Sequence, residues 1–370
     1  MRKPKTRQAG VAMLLVLATI AMASVLGLSY LSVTSVKFAG SANLLRATRS
    51  RYLAESGLQH AMHLLRTGSP ALSAATSANP MGPFHADGTS DSYVFYHEQI
   101  SPGEYRVTAR ATCGELTRTS TAHVRVRSDY ASRLQELDPE HCWRLGELGG
   151  TVAVDQEHHS DGTYENGVLL GQFGAIGGDL DTAVGFDGFN DHVNVGEAKE
   201  VEKKQLTFLI WFKAEDFAVP SARLISKAYG NLPQEHLWMV STVKTGGKMR
   251  LRFRLTTKYG LTSTVVASDG DLEAGKWTFV AATYDGLRMK LYKDGEYVGL
   301  SYNFGDVEEK DPWGDKPDAW IGNNPPDDTS APFHGLIDEV AIFKKALDMG
   351  QIESLYAARV ASLDVLSWSE

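Results

Sequence analysis

The segment GKWTFVAATYDGLRMKLYKDGEYVG, Gly275 to Gly299, decides how most of this chain folds. From Trp277 to Tyr284 it is apolar or β-branched almost throughout, with Trp277, Phe279 and Ala281 on one face, as a strand buried on both sides has to be. Asp294-Gly295 then signals a type I′ turn, whose central residues both need positive φ, so Leu291 and Tyr292 fold back on Tyr297 and Val298. Leu206 to Phe212 is another doubly buried strand. Runs of similar texture extend outward, DTAVGFDG, DHVNVG, MRLRFRLTT and STVVAS, between Gly, Asp and Asn turns at intervals of about 8 to 12 residues. Helical periodicity returns only in KALDMGQIESLYAA, a short amphipathic helix with Ile352, Leu355 and Tyr356 inward. The pattern predicts a β-sandwich over 142–358, large but within the range of a jelly roll.

Before it, Ser128 to His141 is polar and charged, is broken at Asp138-Pro139, and reads as a linker. SYVFYHEQI, GEYRVTARAT and TRTSTAHVRVR precede that linker, separated by Pro102-Gly103 and Cys113-Gly114-Glu115, the form of a three-stranded antiparallel meander. Ser69 to Pro83 reads as a loop.

The chain begins with a stub carrying Arg2, Lys3, Lys5 and Arg7, and Val11 to Val36 then runs without a charge for 26 residues. About 20 suffice to cross a bilayer as helix. Cationic flank first, the stub stays cytoplasmic and the rest is sent outward. Leu58, Met62 and Leu65, with Ala54 and Ala61 beside them, continue one helical face up to the stop at Gly68 and Pro70. A meander laid on that helix would bury the apolar face of each. Ala21-Met22-Ala23 before Ser24 has the form of a signal-peptidase site, and an uncut single-span anchor is a further reading of the same segment. The expected chain is mainly β: a basic leader (1–10), a transmembrane helix (11–66), a small β domain (67–127), the linker (128–141), the sandwich (142–358) and a C-terminal tail (359–370).

A net charge of -8, with no basic stripe beyond the first helix, argues against nucleic acid as a partner. Cys113 and Cys142 sit in no metal-binding spacing and fall in different domains, so two unpaired thiols are expected, with one disulfide as the alternative.

RQAGVAMLLVLATIAMASVLGLSYLSV followed by RYLAESGLQHAMHLL resembles the start of type IV pilin-like proteins of the PilX or GspK subgroup. The resemblance implies cleavage between Gly10 and Val11 by a prepilin peptidase and packing of the apolar helix among other pilin-like subunits. Leu15 stands where major pilins carry glutamate, which points to a minor pilin or pseudopilin. The second half resembles the laminin G-like, or concanavalin A-like, family. CWRLGE, AVGFDGFNDHVNVG, LTFLIWFKAED, LISKAYG, the Gly275–Gly299 segment, IGNNP and FHGLIDEVAIFKKALDMGQIESLY follow one another in that family's order.

Asp187, Asn190, Asp191, Asp338 and Glu339 fall at turns or strand ends, where hard oxygen ligands suit calcium and where acids also cap turns. The family resemblance narrows the set to Glu147, Asp187 and Asp338 around one structural calcium ion. Tyr229, Trp238 and Trp313 are the candidates for stacking on sugar rings. Asp269, Asp271 and Glu273 lie in a turn rather than along one strand, and adjacent His158 and His159 point apart, so no catalytic pair is expected. The expectation is a non-enzymatic inner-membrane protein, its bulk in the periplasm or on the cell surface, that displays a domain for adhesion to glycans or proteins. The alternatives are a single-span structural protein whose sandwich touches only neighbouring subunits and, further off, a carbohydrate-active enzyme.

Overall fold

The computed structural model describes residues 6–67, 69, 72, 74–198 and 204–369, with side chains from residue 16 onward. The stub up to residue 5 lies outside them, and so does the side chain of Val11.

Helix α1 (Thr6–Arg66) is unbroken over 61 residues, about 90 Å at 1.5 Å per residue. It is long and apolar enough to cross a membrane. Its apolar side chains from Val16 to Leu45 are exposed, Leu26 at 70 %, whereas Ala54, Leu58, Ala61 and Met62 are buried on the face their spacing predicts. That face rests on Phe95, Val107, Ala109, Ala122 and Val124 of a sheet. Gly57 permits the approach, since a Cβ there would stand 2.7 Å from the Tyr93 ring.

The sheet has five strands, not three. Its order is β1 (Met81–His85), β2 (Ser92–Ser101), β3 (Glu104–Cys113), β4 (Leu116–Arg127) and β21 (Ser362–Ser369), all antiparallel. The segment read as a C-terminal tail, 359–370, supplies β21, with Ser362 opposite Arg127 and Ser369 opposite Thr121. The strand is held by its ladder to β4 and remains largely exposed, so it never had to show the apolar alternation by which strands are recognised. The sandwich leaves this sheet after Arg127 and rejoins it at Ser362. It is thus an insertion between two neighbouring strands. Arg66 seals the junction, its carbonyl accepting from the Ala361 amide and its Nε donating to the Ala361 carbonyl.

One layer of the sandwich runs β15 (Thr262–Val266), β14 (Lys248–Thr256), β13 (His236–Thr245), β12 (Arg223–Ala228), β19 (Ala319–Ile321), β10 (His192–Asn194), β7 (Gly162–Glu165), β6 (Val152–Ala153). The other runs β18 (Glu296–Tyr302), β17 (Arg288–Lys293), β16 (Thr278–Tyr284), β11 (Leu206–Ala214), β20 (His334–Phe343), β9 (Thr182–Asp187), β8 (Leu169–Phe173), with β5 (His141–Trp143) also on β20. Between the layers lie Phe208, Ile210 and Phe212 of β11, Val280 and Ala282 of β16, and Trp238, Val240, Leu251, Phe253 and Leu255 of the facing sheet. Asp294 and Gly295 have φ of 52° and 84°, as the turn signal requires, and Tyr292 meets Tyr297 across the hairpin.

Strands β11 and β16 are buried on both faces because their outer side is covered as well. Leu209, Trp211, Phe279 and Ala281 pack under α2 (Tyr130–Glu136) and α3 (Met349–Ala358). The stretch read as a linker is therefore part of the sandwich. Tyr130 and Leu134, four residues apart on α2, are fully buried, and the Trp211 indole donates to the Tyr130 hydroxyl at 3.1 Å. Two apolar positions among charges gave too short a period to recognise.

Candidate functional site

Each of the three residues expected around calcium has a hydrogen-bond partner within the protein. The Glu147 carboxylate accepts from the Val154 amide at 2.9 Å and the Tyr164 hydroxyl at 2.6 Å. Asp187 caps its own turn, accepting from the Phe189 amide at 2.8 Å. Asp338 is buried on β20, with one oxygen accepting from the Ala175 amide at 2.7 Å and the other unpartnered. Among the described residues no group of three His, Cys, Asp or Glu side chains is placed to hold a metal ion. The cation beside Asp338 is a side chain. Arg144 reaches Glu339 at 2.6 Å, Asp179 at 2.8 Å and Asp181 at 3.0 Å. Burial works against its charge, and Glu339, Asp181 and Asp179 more than restore it. Burial pushes Glu339 up to about 7 despite Arg144, and it raises Asp338 well above the carboxylate range with the Glu339 charge adding to it. Arg144 sits in the CWRLGE motif, but the charge network it organises joins residues up to 195 positions apart and was not legible in sequence.

The aromatic candidates divide. Trp238 is fully buried against Phe208 in the core, with ring centroids 4.8 Å apart, so it cannot meet a ligand; its strand has an apolar inner face on which Trp238 alternates with the outward Met239. Tyr229 and Trp313 come together edge to face at 6.0 Å, and Trp313 is 77 % exposed. They stand at the end of β12, beside a polar network that the sequence did not suggest.

That network belongs to the outer face of the β13-bearing sheet. Arg250, Arg252 and Arg254 alternate along β14 with the inward Leu251, Phe253 and Leu255, so period two turns all three arginines outward. Arg252 donates through Nε to Ser241 Oγ at 3.0 Å, and Arg254 through Nε to Thr264 Oγ1 at 3.0 Å. Arg223, buried at the start of β12, donates through Nε to Asn324 Oδ1 at 3.1 Å and through Nη2 to His236 Nε2 at 3.0 Å. His236 Nδ1 faces the Leu232 carbonyl at 2.8 Å, which can only accept, so Nδ1 carries a proton; Nε2 stands 3.0 Å from both Arg223 Nη2, which can only donate, and Asn324 Oδ1, and in the neutral ring it accepts from Arg223. Burial and then the Arg223 charge lower His236 to about 4, which agrees with that neutral form. Asn324 donates to Asn231 Oδ1 at 3.0 Å and to the Gly230 carbonyl at 3.2 Å, tying the sheet face to the loop that carries Tyr229.

Arg250 is matched by Asp271 at 3.3 Å. Arg223, Arg252 and Arg254 pair with no carboxylate among the described residues. Burial and mutual repulsion lower Arg223 to about 9 and Arg252 to about 10. Trp320 of β19, opposite Ser226 of β12, lies on the same face and stacks on His192 with centroids 3.9 Å apart. The face thus offers guanidinium donors at one side, an aromatic ring at the middle and an aromatic pair at the rim.

Residues 186–353 match the Laminin_G_3 family, the concanavalin A-like lectin/glucanases superfamily, so the chain carries a concanavalin A-like domain behind its apolar helix. Among solved structures it is similar to domain 4 of AbnA, a GH43 extracellular arabinanase from Geobacillus stearothermophilus in complex with arabinotriose (21% identity, 59% of this chain, 98% of that chain, TM-score 0.41). The Botulinum neurotoxin serotype D binding domain (15%, 61% and 53%, TM-score 0.44) and a Trypanosoma rangeli sialidase (11%, 72% and 45%, TM-score 0.42) are also similar. The chain spans about half the length of those last two. No curated protein matches it by sequence.

Proposed function

We propose that this protein is a membrane-anchored, pilin-like subunit of the minor-pilin or pseudopilin kind that displays its laminin G-like domain to bind glycans or proteins. One observation carries this: α1 is a single helix whose apolar side chains from Val16 to Leu45 are exposed, while Ala54, Leu58, Ala61 and Met62 are buried on the five-stranded sheet. So long an exposed apolar surface needs lipid, or the same surface of neighbouring subunits, to cover it. Because the buried half anchors the head independently, the exposed half can exchange lipid for other helices without unfolding the head. The basic stub supports a topology with the bulk of the chain on the far side of the inner membrane. Binding rather than catalysis is proposed because Asp269, Asp271 and Glu273 lie in the turn between β15 and β16 rather than along one strand, with Asp271 ion-paired to Lys248 at 2.6 Å.

Mass spectrometry of the N-terminal peptide of native protein tests the anchor. Val11 as first residue is the expected result. An uncut Gly10 would leave a single-span anchor whose sandwich only touches its neighbours, and Ser24 would mean a released protein.

A further inference from the structure

We infer that the outer face of the β13-bearing sheet binds a carboxylate-bearing sugar, its acid group held by Arg252 and Arg254 next to Arg223 and its ring against Trp320. This inference rests on the glycan-binding reading above and specifies the ligand's charge.

The argument begins with what is missing. A guanidinium taken out of water is stabilised only when an opposite charge accompanies it. The same domain follows that rule at Arg144, which has three carboxylates, and at Arg250, which has Asp271. Arg223 is 6 % exposed, and its bonds go to an asparagine, a neutral histidine and the Ser221 carbonyl. Arg252 and Arg254 are half-buried and bond to hydroxyls. Each of these groups satisfies a hydrogen bond without supplying charge. The acids near this face stand apart from the three arginines: Glu165 is ion-paired with His192 at 3.4 Å on β7, three strands from β12 and five from β14, Asp318 accepts from Asn194 Nδ2 at 3.1 Å beside Trp320, and Glu235, Glu308 and Asp311 lie around Tyr229.

What remains is a field of positive sign held in a fixed orientation. The hydroxyls of Ser241 and Thr264 occupy the two Nε atoms, and the terminal nitrogens of Arg252 and Arg254 make no hydrogen bond among the described residues. A planar fork held that way suits the two oxygens of a carboxylate. Trp320 is one strand from Arg223 and three from Arg254, about 14 Å at a strand spacing of about 4.8 Å, which a short oligosaccharide bridges. The ring of Trp320 is partly exposed and backed by His192, so it is a fixed platform for a sugar face.

The test uses the full chain in detergent micelles and titrates oligogalacturonate, its methyl ester, dextran sulfate and a panel of neutral oligosaccharides. Oligogalacturonate is expected to bind, with affinity falling at least tenfold on methyl esterification, in the R252Q/R254Q variant, and between low and high salt. Equal binding of the acid and its ester, or binding of dextran sulfate alone, overturns the inference while leaving a glycan-binding domain in place. Silence across every sugar, neutral ones included, overturns the glycan reading itself. Thermal unfolding of R252Q/R254Q is expected to occur at the wild-type temperature or above it, because like charges are removed. A fall of many degrees would show these arginines to be structural pins and also sinks the proposal.

Discussion

Replacing Arg144 by methionine, which keeps the length of the chain and removes its charge, should destabilise the sandwich strongly. The guanidinium ion-pairs with Glu339, Asp181 and Asp179 and its charge also acts on the buried Asp338. Removing one partner from a buried ionic cluster costs about 3–5 kcal/mol, because the remaining charge stays buried alone. For a domain of this size about 1 kcal/mol moves the melting temperature by about 2–4 °C, so a drop on the order of 10 °C is expected. The loss must depend on pH. Glu339 titrates near 7 in the folded state against 4.5 as its ordinary value, and Asp338 is raised too, so the folded form binds more protons than the unfolded one in that window. Stability contributed by these acids therefore falls as pH rises from about 4.5 through about 7. Without Arg144 both acids move further up, and the fall becomes steeper and extends to higher pH. Differential scanning fluorimetry of wild type, R144M and R144M/E339Q at pH 5, 6, 7 and 8 reads this directly. The R144M deficit should be smallest at pH 5 and largest at pH 8, with E339Q recovering part of it. A deficit below about 1 kcal/mol at pH 8, or one flat with pH, would refute the account of Arg144 as the internal cation.

Leu58→Ala should cost about 2–5 kcal/mol, because Leu58 is fully buried between α1 and the five-stranded sheet, and hydrogen exchange in β3 and β4 should report it while β11 and β16 stay protected. Trp238→Ala should cost about 3–5 kcal/mol in the thermal melt and mimic a folding defect, whereas Trp313→Ala should leave the melt in place and weaken glycan binding. Chelation with EDTA should leave the melting temperature unchanged, since the acids near Asp338 are served by Arg144; a clear drop would reveal a cation site. Ending the chain at Ala361 should expose the edge of β4 and lower the stability of the helix-bearing sheet before that of the sandwich.

Sequence served best where a residue's neighbours in space are also its neighbours in period. The Asp294-Gly295 hairpin, the doubly buried strands at Leu206 and Thr278, and the α1 face of Leu58 and Met62 all follow from local spacing. Strand β21 and helix α2 were missed because one is held by backbone pairing to a strand far back in the chain and the other by only two buried side chains. The aromatics show both outcomes. Tyr229 and Trp313 converge at the rim, while Trp238 belongs to the core, because an isolated Trp in an apolar run carries no mark of which way it faces. One signal was present and unread. MRLRFRLTT alternates arginine with apolar residues, and period two alone puts Arg250, Arg252 and Arg254 on one face. That Arg250 alone of the three has an acid beside it among the described residues needed the fold, since Asp271 lies across a turn from Arg250 and the network at Arg223 is closed by Asn324, 101 residues away.

The re-entry of the chain at Ser362 gives the molecule a mechanical character. A domain strung on one linker can swivel, and a single protease cut sets it free. Here two crossings of the chain, after Arg127 and before Ser362, enter adjacent strands side by side. A pull on the sandwich loads both strands at once, and the force passes into the sheet that grips α1. Nicking the chain near residue 128 would leave the load on β21, held by its ladder to β4 and by the Arg66–Ala361 bonds. A domain joined to its helix-bearing sheet in this way behaves as a stiff bracket that keeps one bearing under load.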